Sequence, residues 1–135
     1  MSLRVADPVE HELVQYKART GWTQSRVLNI ALGEWLRIQR HPAIRFTQLP
    51  SGQRVASLVD GPEIWTVAES WLDHEPADRT AANIAEATGL TLRQVEAALA
   101  YWADYRDDIN ADLDRVHAAQ REARAAWERR QGLHG

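Results

Sequence analysis

The chain has 135 residues, enough for one ordinary domain or two very small ones, and its 44% apolar and 26% charged content is that of a globular protein. It contains no cysteine, which excludes disulfides and thiolate metal sites and suits a reducing compartment. The net charge of −3 conceals an asymmetry. Residues 1–40 carry six Lys/Arg against four Asp/Glu, residues 41–112 five against twelve, and residues 113–135 five against three. A mildly basic head on an acidic body leaves only the head suited to nucleic acid.

No run approaches a membrane span. No secretory leader is expected either, because Leu3 to Val5 is followed at once by Asp7-Pro8 and a charged stretch. A cytoplasmic protein without a membrane partner is expected. The pattern predicts a mainly α (α+β) fold in three pieces. These are residues 1–40, residues 41–112 and a helical tail at residues 113–135.

In the first piece, Leu3-Arg4-Val5 alternates as a very short strand. Asp7-Pro8-Val9-Glu10 reads as a helix start, with Asp7 as N-cap, proline at the first helical position and Glu10 as a capping-box glutamate. Val9, Leu13, Val14 and the stem of Lys17 share one face of that helix. Gly21 is expected to end it as a left-handed cap, and Thr23 to cap the next helix, which runs to about Gln39. Val27, Leu28, Ala31, Leu32, Trp35, Leu36 and Ile38 predict a broad buried face on this second helix.

In the second piece, His41-Pro42 breaks the helix. Ile44-Arg45-Phe46 and Arg54–Leu58 flank Pro50-Ser51-Gly52 and predict a β-hairpin. A helix carrying Ile64, Trp65, Val67, Ala68, Trp71 and Leu72 follows Gly61-Pro62, and Pro76 marks a polar break. Helices are expected at about Thr80–Thr88 and from Leu92 onward. Ala85, Gly89 and Val95 stand at helix-turn-helix spacing. The second helix of that pair carries Arg93 and Gln94 but also Glu96, Asp104, Asp107 and Asp108. Phosphate is repelled there, so the motif reads as packing or protein-binding scaffold.

The third piece continues the last helix. Ile109, Leu113, Val116, Gln120, Ala123 and Trp127 recur at intervals of 4, 3, 4, 3 and 4, a heptad-like stripe with one polar fault at Gln120. So long a helix cannot be covered by so small a body, so its far end projects or lies on a partner. Trp127 reads as an anchor there, with Arg121, Arg124, Arg129 and Arg130 at the rim.

A strand this short is unstable alone and becomes useful when two copies pair as an antiparallel ribbon, which fits the major groove. Alternation puts Leu3 and Val5 toward the core and Ser2 and Arg4 outward, with Arg4 the candidate for a bidentate contact to guanine. The start of the second helix, Thr23-Gln24-Ser25, offers free backbone N–H groups to a phosphate. Arg26, and also Lys17 or Arg19, would add charge there. The alternative for this hairpin is a device for dimerisation alone.

Leu3-Arg4-Val5-Ala6-Asp7-Pro8-Val9 followed by Leu13, Gly21, Ser25, Ala31 and Leu36 resembles the ribbon-helix-helix pattern of CopG-like, Arc and MetJ repressors over about forty residues. That resemblance implies a homodimer that binds operator DNA with strand residues. The stretch from His41-Pro42-Ala43-Ile44 through Gly61-Pro62-Glu63-Ile64-Trp65 to Ala97-Ala98-Leu99-Ala100-Tyr101 and Asp107-Asp108-Ile109 resembles the helix-turn-helix-like domain of unknown function (number 433) that accompanies VapB-type antitoxins. It implies an antitoxin that represses its own operon and neutralises a PIN-like toxin.

No catalytic site, metal site or cofactor is expected. His11, His41, His74, His117 and His134 form no pair at metal-ligand spacing, and there is no phosphate-binding glycine loop or nucleophile elbow. Of the six tryptophans, Trp35, Trp65, Trp71 and Trp102 read as core, and Trp22 and Trp127 as exposed anchors. Two further functions compete with a regulator. One is a dimeric interaction adaptor that does not bind DNA. The other is a sensor holding a small molecule between Trp65, Trp71 and Trp102.

Overall fold

The computed structural model describes residues 4–133. The chain is mainly helical with one two-stranded antiparallel hairpin, and it divides into two compact units, Met1–Arg40 and His41–Gly135. Among the described residues no helix is long and apolar enough to cross a membrane.

The first unit is a helical hairpin. Helix α1 spans Asp7–Thr20 and α2 spans Gln24–Arg40. Asp7 lies inside α1, not at its cap. The N-cap is Ala6, with extended backbone (φ −61°, ψ 145°), and its carbonyl accepts from the Glu10 amide at 2.9 Å. No side chain caps this end, so the expected capping box is absent. Pro8 consequently stands at the second helical position, where its missing N–H is one that a helix leaves unpaired in any case. Gly21 adopts φ 75° and its amide closes on the Lys17 carbonyl at 2.8 Å, so the left-handed cap forms as the sequence predicts. Thr23 caps α2, its Oγ1 accepting from the Arg26 amide at 3.1 Å.

The broad face of α2 is not buried. No residue of α2 is buried in the single chain; Leu32 and Trp35 are each 57% exposed, and Leu36 is half exposed. On α1 only Leu13 is buried, while Val9 and Val14 stand open. Two helices alone offer each other one narrow seam, whereas this face spans most of a helix side. Arg4 to Ala6 have no regular structure, and Ser2 and Leu3 lie outside the described residues.

The second unit has its own core. Strands β1 (Ile44–Gln48) and β2 (Arg54–Leu58) pair antiparallel with Ile44 opposite Leu58 and Thr47 opposite Val55. Gly52 turns the chain with φ 90°. Helix α3 (Ile64–Asp73) follows, then a short 3-10 turn at Pro76–Asp78. Arg79 closes the end of α3. Its Nε donates to the carbonyls of Trp71 and His74 at 3.0 and 3.1 Å, and its Nη2 to that of Leu72 at 3.2 Å. Trp71 and Leu72 lie in the last turn of α3, whose carbonyls lack the usual partners four residues on within the helix.

Helix α4 (Ala81–Thr88) is capped by Thr80 and ended by Gly89 at φ 77°. Helix α5 (Leu92–Asp104) begins with a full capping box between Thr91 and Gln94. The Gln94 amide also donates to the Asp60 carbonyl at 3.3 Å, tying the helix to the loop after β2. Ile44, Leu58, Ile64, Val67, Ile84, Val95, Tyr101 and Ile109 pack together as the centre of the core.

The long last helix is broken. Tyr105 takes φ −126° and ψ 49°, and α6 begins afresh as Arg106–Gly132. No glycine or proline marks the break. The cause is tertiary: Asp104 is bonded by His41 at 2.7 Å, the His41 ring meets the Tyr101 and Tyr105 rings edge-on, and those two rings lie tilted 4.8 Å apart. His41 therefore occupies the core edge, as its place before Pro42 suggests. Residues 112 and 113, the expected boundary of the tail, both lie within α6 and are both buried.

Candidate nucleic-acid interface

The corner between α1 and α2 gathers most of the head's expected DNA-facing residues. Lys17, in the last turn of α1, donates to Gln24 Oε1 in the first turn of α2 at 3.3 Å. The guanidinium of Arg26 lies 3.9 Å above the Trp22 ring, and Trp22 meets Tyr16 edge-on at 5.9 Å. The Arg19 guanidinium lies 5.3 Å from the Tyr16 ring centre. Aromatic faces attract cations, so two arginines are held over rings at one corner while their donor edges stay available. Trp22 is consequently half-buried and is not the open anchor expected.

The first turn of α2 carries no acidic residue. Lys17 and Arg26 add to its partial positive charge, while Asp7 and Glu10 of α1 line a cavity with Gln24 on the other side. Thr23 Oγ1 is committed to its cap, and Ser25 Oγ accepts from Asn29 Nδ2 at 3.3 Å. Arg4 is exposed and lines a cavity of about 320 Å³ together with Asp7, Glu10, Leu13 and Gln24. Gln24 thus joins the Arg4 side of the hairpin to Lys17. Ser2 lies outside the described residues.

The expected partner-binding residues are all on the exposed end of α6. Trp127 is 54% exposed. Arg124 pairs with Glu128 at 3.2 Å and Arg129 with Glu122 at 3.4 Å, both along the helix; Arg121 and Arg130 are exposed. The stripe is half covered. Ile109 and Leu113 are buried, Val116 partly, and Gln120 and Ala123 are exposed.

A cavity of about 730 Å³ lies in the second unit, between α3, α5 and α6. Trp71, Leu72, Leu99, Trp102 and Leu113 form its apolar wall, with Arg79, Arg106, Asn110, Asp114 and His117 around them. The expected tryptophan box is therefore corrected: Trp71 and Trp102 line this cavity, but Trp65 does not, its Nε1 donating to Glu63 instead. The available signal was the run of α6 residues 106, 110, 113, 114 and 117, which helical geometry puts along one side.

Asp112 is a buried carboxyl whose proton affinity is displaced. Burial pushes it above the ordinary aspartate value, and Arg115, 3.7 Å away, only partly offsets this. Gln53 Nε2 donates to it at 3.5 Å. His117 Nε2 lies 2.8 Å from Glu69 Oε1 and ties α6 to α3. Among the described residues no group of three His, Cys, Asp or Glu is placed to hold a metal ion. Compared with protein-family models, with curated proteins and with solved structures, the chain matches none of them.

Proposed function

We propose that the protein is a dimeric, sequence-specific DNA-binding regulator with a ribbon-helix-helix head, and not an enzyme. The observation that carries this reading is the bare apolar face of the first unit. Leu32, Trp35 and Leu36 on α2 and Val9 and Val14 on α1 are half or more exposed, and among the described residues of this unit Leu13 alone is buried. Fully burying a large apolar side chain is worth about 1.5–3 kcal/mol, and each of these, about half exposed, forgoes roughly half of that. A forty-residue unit has no other core to draw on.

A second copy of the same face is a suitable cover, because a two-fold interface is self-complementary. Such pairing brings two N-terminal segments side by side, as a ribbon in the major groove requires. Arg4 then reads base edges, while Lys17, Gln24 and Arg26 at the start of α2 approach phosphates. In its finer form the proposal is an autorepressing antitoxin in the cytoplasm that holds a protein toxin with the exposed end of α6. The open Trp127 among Arg121, Arg124, Arg129 and Arg130 supports that part, since aromatic and arginine anchors dominate protein interfaces.

The test is a gel-shift titration on the DNA upstream of its own gene against a scrambled duplex, at two salt concentrations. Specific binding that weakens steeply with salt is the expected result. Equal or absent binding to both duplexes overturns the reading and leaves the hairpin as a dimerisation device in an adaptor.

A further inference from the structure

Helix α6 is electrically and sterically polar along its length. Its first ten residues carry Asp107, Asp108, Asp112 and Asp114 against Arg106 and Arg115. Residues 121–130 carry Arg121, Arg124, Arg129 and Arg130 against Glu122 and Glu128. The two ends therefore have net charges of −2 and +2. The acidic end borders the cavity of about 730 Å³, whose charged lining is Asp114 with Arg79 and Arg106, whereas the basic end presents the exposed Trp127.

Leu113, Gln120 and Trp127 are spaced by seven and share one heptad position. Leu113 and Trp127 are separated by about 21 Å along the axis at 1.5 Å per residue, with Gln120 midway. A second α6 laid antiparallel and centred at Gln120 brings each Trp127 to the level of the other copy's Leu113. That is the level of the cavity walled by Trp71, Leu72, Leu99 and Trp102. The same alignment sets each basic end beside the other's acidic end. A parallel alignment sets like charge beside like and puts each Trp127 beside the other copy's Trp127.

We propose that the exposed end of α6 docks into the α3/α5/α6 cavity of a second copy of this chain, antiparallel, with Trp127 as the inserted side chain. The pairing is isologous and buries the half of the heptad stripe that its own body leaves bare. The polar Gln120 lies at the two-fold centre, where a lone polar residue at a seam position fixes register at some cost in stability. The proposal does not depend on DNA binding. It gives the exposed end of α6 an occupant other than a toxin.

The absence of native cysteine makes disulfide trapping in the full-length chain a direct test. Gln120→Cys places one thiol near the two-fold centre. Arg130→Cys places one ten residues away, about 15 Å along the axis from that centre. Both side chains are exposed, so the fold is undisturbed. Under mild oxidation Gln120→Cys is expected to form covalent dimers at least tenfold faster than Arg130→Cys. Adding Trp127→Ala to Gln120→Cys is expected to slow its reaction by a similar factor. Equal rates at the two positions, as an in-register parallel pairing or random collision gives, overturn the proposal. So does a Gln120→Cys rate unchanged by Trp127→Ala.

Discussion

The indole Nε1 of Trp102 donates to Asn110 Oδ1 at 3.0 Å across the break at Tyr105, joining the end of α5 to the second turn of α6. The bond holds α6 at the wall of the cavity, since both residues line it. Asn110→Ala removes the acceptor of an indole that is only 9% exposed. Asn110 itself is exposed, so water can partly replace it, and the cost should be about 1 kcal/mol. Urea unfolding followed by tryptophan fluorescence measures it. A Trp102→Phe chain should show no further loss on Asn110→Ala.

Asp112 gives a pH dependence of definite sign. Its folded pKa is raised by burial, so between the ordinary aspartate value and that raised value the folded chain binds more protons than the unfolded one. This group's contribution to stability therefore falls as pH rises through that window and stays lowered above it. Asp112→Asn, which remains neutral, should gain stability relative to the natural chain between acid and neutral pH. Chemical denaturation at pH values on both sides of the window checks this, and a stability difference that does not change with pH counts against it.

The bare face of the hairpin predicts separable unfolding. Leu32→Glu places a charge in the middle of that face in each copy. In the proposed dimer this face is covered, and removing a leucine from it costs up to about 1.5–3 kcal/mol per copy before the charge is counted. The variant should lose the helical signal of α1 and α2, together with operator binding. Residues 41–133 have their own core and should still melt cooperatively. Far-UV circular dichroism over a range of protein concentrations distinguishes this from global unfolding.

Two arginines should fail differently on DNA. Arg4→Ala is expected to cost about 1–3 kcal/mol and relax preference at one base position, the signature of a base contact. Arg26→Ala should weaken binding to all sequences alike and reduce the salt slope by about one. The 3.9 Å stack on Trp22 holds Arg26 at the corner, so Trp22→Ala should reproduce part of the Arg26→Ala effect. Titrations at four salt concentrations on operator and scrambled DNA measure both.

Much of the local structure follows from the sequence because its causes are local. Gly21 and Gly89 end helices where only a left-handed residue serves, and Thr23 and Thr91 cap the helices that follow. The strands flank Pro50-Ser51-Gly52 as the alternation requires. The break at Tyr105 was hidden because its cause is His41, more than sixty residues away in sequence, bonded to Asp104. The cavity was hidden for a similar reason: its walls come from three helices, and no periodicity within one helix reports a gap between them.

By itself the sequence determined most of the helices, the hairpin, the caps at Gly21, Thr23, Gly89 and Thr91, and which residues are apolar at helical spacing. Each of these is set by backbone sterics and hydrogen bonding within a few residues. Only the tertiary structure decided which apolar faces are satisfied. It buried Ile109 and Leu113 and left Leu32, Trp35 and Trp127 in water. Burial depends on what else the chain can bring to a face, and periodicity gives only the face.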